Sequence, residues 1–463
     1  MDQLTVLVSK ANSFIWGLYC LIPLLCGTGL YFTLKLNFVQ IRKFGLAVKY
    51  TFGGITLFGK RADKDGMSSF QALATAIAAQ VGTGNLAGAA TAIAMGGPGA
   101  IFWMWIAAFF GMATIFAEAV LAQVYKEKLP SGQVVGGPAY YISRGLKCPK
   151  LAMFFAVALI IALGFIGNMV QSNSTAEGIS MGFGVPHLVT GVVIAALVGL
   201  VIWGGLTRIA TVTVYMVPFM AIFYILGAFA IIVAHYEAIP GAISSAFYGA
   251  FFDPMALPGA LAGWSVKIAI TRGISRGVFS NEAGLGSAPM VHCTARTDHP
   301  VRQGLYGLFE VFMDTIIICN LTAITILATG VLTGQPELTG AQLSLAAFSS
   351  VLGPAGVMIL SVALSLFALS TILGWYWYAE TALVYLSHGK STFIKPFKFF
   401  WMLLIVLGAW GGGEALANLW NLSDTLNGMM AIPNLIGLLL LTKELRALVK
   451  DFDQKRRDGT LKV

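Results

Sequence analysis

Apolar residues run through this chain in blocks longer than a water-soluble fold uses. Stretches at 100–125, 151–175 and 209–233 carry almost no charge. Each reaches the roughly 20 residues that a helix needs to cross the hydrocarbon core of a bilayer. The pattern predicts about eleven spans, at 14–34, 69–95, 100–125, 151–175, 187–203, 209–233, 257–291, 303–331, 351–386, 397–410 and 423–441. The first block follows a nearly uncharged start and has no small-residue cleavage pattern, so it reads as a retained helix and not a signal peptide.

Composition agrees with that reading. Of 463 residues, 57% are hydrophobic and 11% charged, whereas a soluble domain carries about a quarter charged residues. The length suits one all-α bundle embedded in a plasma (inner) membrane. The net charge of +9 is unevenly placed. Lys35, Arg42, Lys43, Lys49, Lys60, Arg61 and Lys64 follow the first span, and Lys126, Lys128, Arg144, Lys147 and Lys150 follow the third. Arg208, the pair Arg296 and Arg302, and Lys390, Lys395 and Lys398 continue the alternation. The tail from Lys443 to Lys462 ends it. The intervening loops carry Glu177, Glu237, Asp253, Glu337 and Glu414 instead. By the positive-inside rule the N-terminus is out and the C-terminus in, which an odd number of crossings requires. The basic excess then marks the cytoplasmic face and contact with anionic lipid. It does not indicate nucleic acid, because no basic cluster is interleaved with exposed aromatics. The stretch 41–52, with Arg42, Lys43 and Lys49 among apolar residues, reads either as a helix lying on the inner membrane surface or as a solvated linker. Cys20, Cys26, Cys148, Cys293 and Cys319 show no metal spacing and read as small apolar fillers.

Two stretches are too rich in glycine for ordinary membrane helix: 80–88 (Gln-Val-Gly-Thr-Gly-Asn-Leu-Ala-Gly) and 276–287 (Arg-Gly-Val-Phe-Ser-Asn-Glu-Ala-Gly-Leu-Gly-Ser). Glycine costs a helix interior about 1 kcal/mol relative to alanine. Unwound backbone at membrane depth persists only where protein, water or a ligand satisfies its polar groups. The first break lies in the second span and the second in the seventh. Residues 68–240 and 241–442 therefore read as two five-helix units of opposite orientation. Residues 1–67 add an extra helix and loop, and 443–463 form a basic cytoplasmic tail. Paired interrupted helices at corresponding positions point to a transporter's central site. The plainer reading of either break alone is close helix packing through small residues.

Other classes fit poorly. The Gly82–Ala87 run loosely matches a dinucleotide fingerprint but follows a membrane helix where that motif needs a strand. An enzyme would need a nucleophile with a base, or a metal constellation, and neither pattern occurs. A channel would need a repeated filter or a ring of charges.

The motifs also carry a resemblance. Gly96-Gly97-Pro98-Gly99-Ala100-Ile101-Phe102-Trp103-Met104-Trp105, continuing to Gly111, resembles the signature of the alanine or glycine:cation symporter family. Gly82-Thr83-Gly84-Asn85, Gly167-Asn168-Met169-Val170-Gln171 and Arg276 to Gly284 look like further blocks of that family, in the same order. The resemblance implies a leucine-transporter-like fold of five plus five inverted helices. It also implies symport of alanine, glycine or a relative such as D-alanine or serine with sodium. A proton-coupled carrier, or one selective for glutamine or an acidic substrate, is the alternative. No organic cofactor is expected, and the chain is expected to act as a monomer in the bilayer.

The resemblance then guides the candidate site. Backbone N–H groups of Thr83, Gly84 and Asn85 would receive the substrate carboxylate. Oxygens around Phe279, Ser280 and Asn281 would receive the amino group, and Asn168 and Gln171 would face the cavity. Sodium would sit between the carbonyls of Ala78 and Val81 and the hydroxyls of Ser370 and Thr371, hard oxygen ligands that suit it. Charges within spans demand a reason. Glu118, Glu282, Glu310, Asp314 and Glu380 are candidates, with Arg272 and Arg276 as possible partners. Arg272, one turn before the second break, would favour a substrate with a second carboxylate if it faced the cavity.

Overall fold

The computed structural model describes residues 3–54, 66–252, 256–257, 260–261, 264–411 and 414–461. Lys60, Arg61, Lys64, Asp253 and Lys462, which the topology reading counted, lie outside the described residues, as does the side chain of Glu414.

The span expected at 14–34 is two helices, α1 (Gln3–Ile15) and α2 (Leu21–Lys35). The chain turns between them because Trp16 folds inward, its indole N–H donating to the carbonyl of Asp424 at 2.8 Å. Residues 41–52 fall in α3 (Val39–Arg42) and α4 (Phe44–Gly53). They are no solvated linker. The Tyr306 hydroxyl donates to the Tyr50 carbonyl at 2.9 Å, and Phe44 meets Phe312 edge-on at 4.8 Å.

Helix α5 (Ser69–Gln80) opens on a reciprocal capping box. The Ser68 hydroxyl accepts from the Gln71 N–H, and the Gln71 side chain accepts from the Ser68 N–H, so two orphan donors are satisfied at once. A π-turn at Gly84–Gly88 leads into α6 (Ala89–Gly96), and α7 (Gly99–Val124) follows. The next loop holds a two-stranded antiparallel ribbon, β1 (Glu127–Lys128) with β2 (Val134–Val135), and α8 (Pro138–Gly145). Helix α9 (Pro149–Leu159) passes through a π-helical stretch into α10 (Asn168–Phe183), followed by α11 (His187–Ile202), α12 (Gly205–Ala234) and α13 (Ile239–Phe251).

The span expected at 257–291 is a helix only over α14 (Val266–Asn281). Ser265 caps its start, accepting from Ile268 N–H at 3.3 Å. After an irregular turn come α15 (Pro289–His292) and α16 (Pro300–Val311), which runs through a π-helical stretch, Phe312–Cys319, into α17 (Asn320–Thr329) and α18 (Val331–Gly334). Helix α19 (Gly340–Leu386) begins ahead of the predicted 351 and bends at Gly353 (φ 59°, ψ −146°). Pro354 disfavours a helical conformation at the residue before it, and glycine takes the positive φ without strain. Helices α20 (Ile394–Trp410), α21 (Glu414–Leu440) and α22 (Thr442–Arg457) close the chain.

Among the described residues, five helical stretches are long and apolar enough to cross a membrane: Gly99–Val124, Pro149–Phe183, Gly205–Ala234, Pro300–Thr329 and Gly340–Leu386. Trp420–Leu440 together with Thr442–Arg457 would add a sixth, bent by 60°. Leu21–Lys35 and His187–Ile202 are apolar but shorter. Unwinding divides the segments at 69–96 and 266–292, so length alone does not register them. Phe219, Ile222, Leu226 and Phe229 stand exposed along α12, an apolar face that suits lipid and would be a liability in water.

The segment 443–463 is not a free basic tail, since most of it is α22. Leu445, Val449 and Phe452 are buried against the body. Lys43 pairs with Asp453, Tyr125 donates to Glu444, and His299 meets Asp451 at 3.0 Å. Hydrogen bonds from Lys455 and His299 hold the Asp451 carboxyl below its usual range, while burial pushes the Lys43 ammonium below its own.

Within the bundle, α14 packs on α7, and α19 packs on both α10 and α5. The two glycine-rich breaks are thereby enclosed at the centre.

Candidate functional site

The first break begins when the helical hydrogen-bond ladder of α5 fails. Val81 N–H still reaches the Ile77 carbonyl at 2.8 Å. The next two N–H groups turn to side chains: Gly82 to Asn85 Oδ1 at 2.9 Å and Thr83 to Gln171 Oε1 at 3.1 Å. The Ala78 carbonyl is thereby released from its i+4 partner. Two hydroxyls of α19 point at the freed end. Thr371 Oγ1 lies 3.3 Å from the Ala78 carbonyl and Ser370 Oγ lies 3.5 Å from the Val81 carbonyl. The four residues named from sequence for sodium therefore lie together. Their hydroxyl–carbonyl separations are long for O–H···O bonds, which favour about 2.7–2.8 Å, and Ser370 also donates to Phe367 at 2.7 Å. Glycine at 82 is obligatory for this approach, because a Cβ there would lie 2.3 Å from Thr371 Oγ1.

The second break starts later than the glycine count suggests. Phe279, Ser280 and Asn281 are still the last turn of α14, and unwinding begins at Glu282 (φ 55°), with Gly284 and Gly286 also at positive φ. Ala283 N–H turns to Asn281 Oδ1 at 3.0 Å and Gly284 N–H to Glu118 Oε2 at 3.2 Å. The helix-end carbonyls of Phe279 and Ser280 are thus released. The two breaks touch at Gly84, where a Cβ would lie 3.2 Å from the Phe279 ring and 3.3 Å from Ser280 Cα.

Asp314 joins them. It sits in the π-helical stretch after α16 and is fully buried. Its carboxylate accepts from Asn85 Nδ2 at 2.6 Å, from Ser280 Oγ at 3.0 Å and from Thr315 Oγ1 at 2.8 Å. Cys319 Sγ lies 3.3 Å from Asn85 Nδ2 and 3.2 Å from Ser280 Oγ, and Asn281 Nδ2 donates to Thr315 at 3.1 Å. The sequence reading singled out Asp314 only as a charge needing a reason. The signal was there: an acid and a threonine, Asp314-Thr315, inside an otherwise apolar run.

Not every candidate falls at this centre in the expected way. Thr83 N–H and Asn85 N–H are already bonded, the latter to the Gly82 carbonyl at 3.3 Å. The Thr83 hydroxyl is buried with no partner among the described residues. Gln171 reaches the site, but Asn168 does not reach it. Asn168 donates to the Trp401 carbonyl at 3.2 Å and makes an interhelical bond.

The acid–base pairing differs as well. Arg276 pairs not with any of the five acids singled out but with Asp424 of α21, at 2.8 Å, both side chains buried. Its guanidinium also lies 4.8 Å from the Trp420 ring centroid. Arg272, one turn earlier, adds its charge to the field at Asp424. Glu282 accepts from Trp375 Nε1 and from Ser287, both at 2.5 Å. Glu118 accepts from Asn434 at 2.5 Å. Glu310 accepts from Gln80 at 2.5 Å and meets His292 at 2.6 Å. Glu380 accepts from Tyr376. Phe279 stands edge-on to Trp375 at 6.3 Å and tilted against Trp420 at 5.1 Å. Trp375, Trp420 and Asp424 have no signal in the sequence because their partners lie far along the chain.

Comparison with known proteins gives a consistent picture. The family described as the sodium:alanine symporter family matches residues 1–463. A sodium/alanine symporter, AgcS, of Methanococcus maripaludis is 43% identical over 458 residues, 98% of each chain. A putative sodium/proton-dependent alanine carrier protein of Bacillus subtilis, YrbD, is 40% identical over 98% of this chain and 93% of its own. A probable sodium/glutamine symporter of the same organism, GlnT, is 38% identical over 98% and 91%. Among solved structures, a manganese transporter of Eremococcus coleocola aligns with a TM-score of 0.52 at 12% identity, over 80% of this chain and 75% of that one. At that identity the likeness concerns the fold alone. The chain belongs to the sodium:alanine symporter family. It is a sodium-coupled amino-acid symporter and not an enzyme, a multi-pass protein of the plasma membrane.

Proposed function

We propose that this member of the sodium:alanine symporter family imports alanine or glycine, with D-alanine and serine as close relatives, together with sodium by alternating access. One observation carries the reading: carbonyls of Ala78 and Val81 and hydroxyls of Thr371 and Ser370 converge from two helices beside the first break. Four hard oxygens without a formal charge suit a monovalent cation better than a soft metal. A cation there would draw on hydroxyls and carbonyls whose bonds to one another are long, at 3.3 and 3.5 Å.

The substrate reading follows from the contact between the breaks. Gln171 Oε1 sits on the Thr83 N–H, where a carboxylate oxygen of the substrate would accept, so Gln171 would move or share that donor. The Gly84 N–H and the unpartnered Thr83 hydroxyl lie beside it. The released carbonyls of Phe279 and Ser280 face an ammonium, with the Asp314 carboxylate behind them. Phe279, Trp375 and Trp420 crowd the site, which favours a small side chain. The Arg276 guanidinium is committed to Asp424, and Arg272 supports that acid, which favours a neutral substrate over an acidic one.

The architecture assigned to this activity is eleven crossings, with 68–240 and 241–442 as inverted five-helix repeats after an extra N-terminal segment. The N-terminus is out and the C-terminus in. The basic loops and the placement of the breaks support this assignment. A second reading, proton coupling, draws on the buried His292–Glu310 contact at 2.6 Å. The deciding experiment is uptake of labelled alanine and glycine into proteoliposomes under separate sodium and proton gradients. Sodium-driven uptake is expected. Absence of sodium-driven uptake of any small amino acid would end the proposal, and uptake driven by a proton gradient alone would favour the second reading.

A further inference from the structure

Where α2 ends, the chain reverses through Asn37 and Phe38, both at positive φ. Arg42 secures the turn, donating to the carbonyls of Asn37 at 2.6 Å and Leu36 at 3.2 Å. Helix α22 crosses beside this turn after its 60° bend from α21. Between them lie two adjoining cavities of about 550 and 500 Å³. Lys35, Arg446 and Lys450 line both, Arg42 and Arg457 line the first, and Lys443 lines the second. All six cations are exposed. The acids in the first cavity are Asp453, which is engaged by Lys43, and Asp458. The second cavity contains no acid. Among the described residues no ion pair joins Lys35, Lys443, Arg446, Lys450 or Arg457 to a carboxylate.

We propose that this cleft between α2 and α22 binds the headgroup of an anionic glycerophospholipid, its phosphodiester held by Lys35, Arg446 and Lys450. Like charges gathered at one cleft repel each other unless an anion joins them, and clusters of basic residues next to a membrane helix attract anionic headgroups. The walls favour a lipid over a free phosphate. The second cavity is completed by Tyr31, Leu439 and Leu440, and Leu440 is 66% exposed. Cationic and apolar surfaces thus adjoin in the order that a headgroup and its acyl chains present. Two neighbouring cavities also accommodate a lipid bearing two phosphodiesters better than one. The assignment to the cytoplasmic leaflet, and only that part, rests on the orientation given under the proposed function.

The test is native mass spectrometry of the full chain in detergent, titrated with phosphatidylglycerol, cardiolipin and phosphatidylcholine. It reads lipid binding whether or not the transport assignment holds. The expected result is binding of the anionic lipids at least tenfold tighter than phosphatidylcholine. Arg446→Gln with Lys450→Gln should lower anionic-lipid affinity on the order of tenfold or more. Lys390→Gln with Lys395→Gln removes the same charge from exposed positions elsewhere and should leave affinity within twofold. Equal binding of the three lipids would overturn the proposal. So would equal loss in both double variants, or displacement of bound lipid by millimolar inorganic phosphate or glycerol phosphate.

Discussion

Thr371→Val tests the ion site with the least disturbance. Valine keeps the branched shape and removes only the hydroxyl. Gly82, which lacks a Cβ, leaves room for the methyl that replaces Oγ1. In the ion-free protein the loss is small: the Thr371–Ala78 bond spans 3.3 Å and a neutral bond contributes about 1 kcal/mol or less. With sodium bound, the same oxygen is one of four gathered ligands. A polar contact to a charged partner is worth about 1.5–3 kcal/mol, so sodium affinity should fall roughly 10- to 150-fold. The assay is alanine uptake into proteoliposomes as a function of external sodium, with choline holding ionic strength constant. Half-saturating sodium should rise by at least tenfold while thermal stability in detergent stays near wild type. Ser370→Ala should be milder, because its hydroxyl lies 3.5 Å from Val81 and is already spent on Phe367 at 2.7 Å. Half-saturating sodium within twofold of wild type for Thr371→Val would refute the reasoning and leave these hydroxyls as interhelical packing.

Other expectations concern the charges. Asp314→Asn replaces an acceptor of three hydrogen bonds by an amide with one acceptor oxygen; uptake should drop at least tenfold although the protein elutes as a single peak in size-exclusion chromatography. Arg272→Ala should leave the ranking of alanine, glycine, glutamine and glutamate unchanged in competition uptake, whereas gain or loss of glutamate transport would put that arginine at the substrate. Asp424→Ala leaves Arg276 buried without its partner and should cost about 3–5 kcal/mol, read as a large loss of thermal stability that Arg276→Met in the same chain partly restores. Because its partners depress the Asp451 carboxyl, that group stabilises the docked α22 above the ordinary carboxylate range and loses the contribution as pH falls through its lowered value. Protection factors in 442–457, with exchange corrected for its intrinsic pH dependence, should fall between pH 7 and pH 3, and less so in Asp451→Asn, which lacks the titrating group.

What the sequence disclosed depended on the range of each interaction. Ala78, Val81, Ser370 and Thr371 follow from the family resemblance, and local features fix where it applies: a glycine-rich stop at Gly82 and adjacent hydroxyls in an apolar span. The structure brings their oxygens together. Asn168 and Gln171 share a helix face by spacing, yet three residues is 300° of turn, and the 60° between them sends one to Trp401 and the other to Thr83. Glycine count marks where a chain can unwind, from Gly277 onward, whereas the unwinding of the second break begins at Glu282. In α22 the lysines and arginines masked Leu445, Val449 and Phe452, whose spacing of four and three residues is that of a buried helical stripe. The pairing of Arg276 with Asp424, 148 positions apart, had no local trace at all.

That pairing also bears on how the protein is made. Helix α21 binds the first and middle parts of the chain at once. Asn421 accepts from Asn12 at 3.2 Å, the Asp424 carbonyl accepts from Trp16, and the Asp424 carboxylate holds Arg276. All three contacts wait until residues 421–424 have left the ribosome. Between the emergence of Arg276 and that of Asp424, therefore, the nascent bundle carries an arginine beside the second break without its counter-charge, and until then α1 lacks its partner α21. Insertion of α21 completes assembly, so a ribosome stalled before it would leave a membrane intermediate marked by an unpaired charge, the kind of species that quality-control proteases of the membrane can recognise.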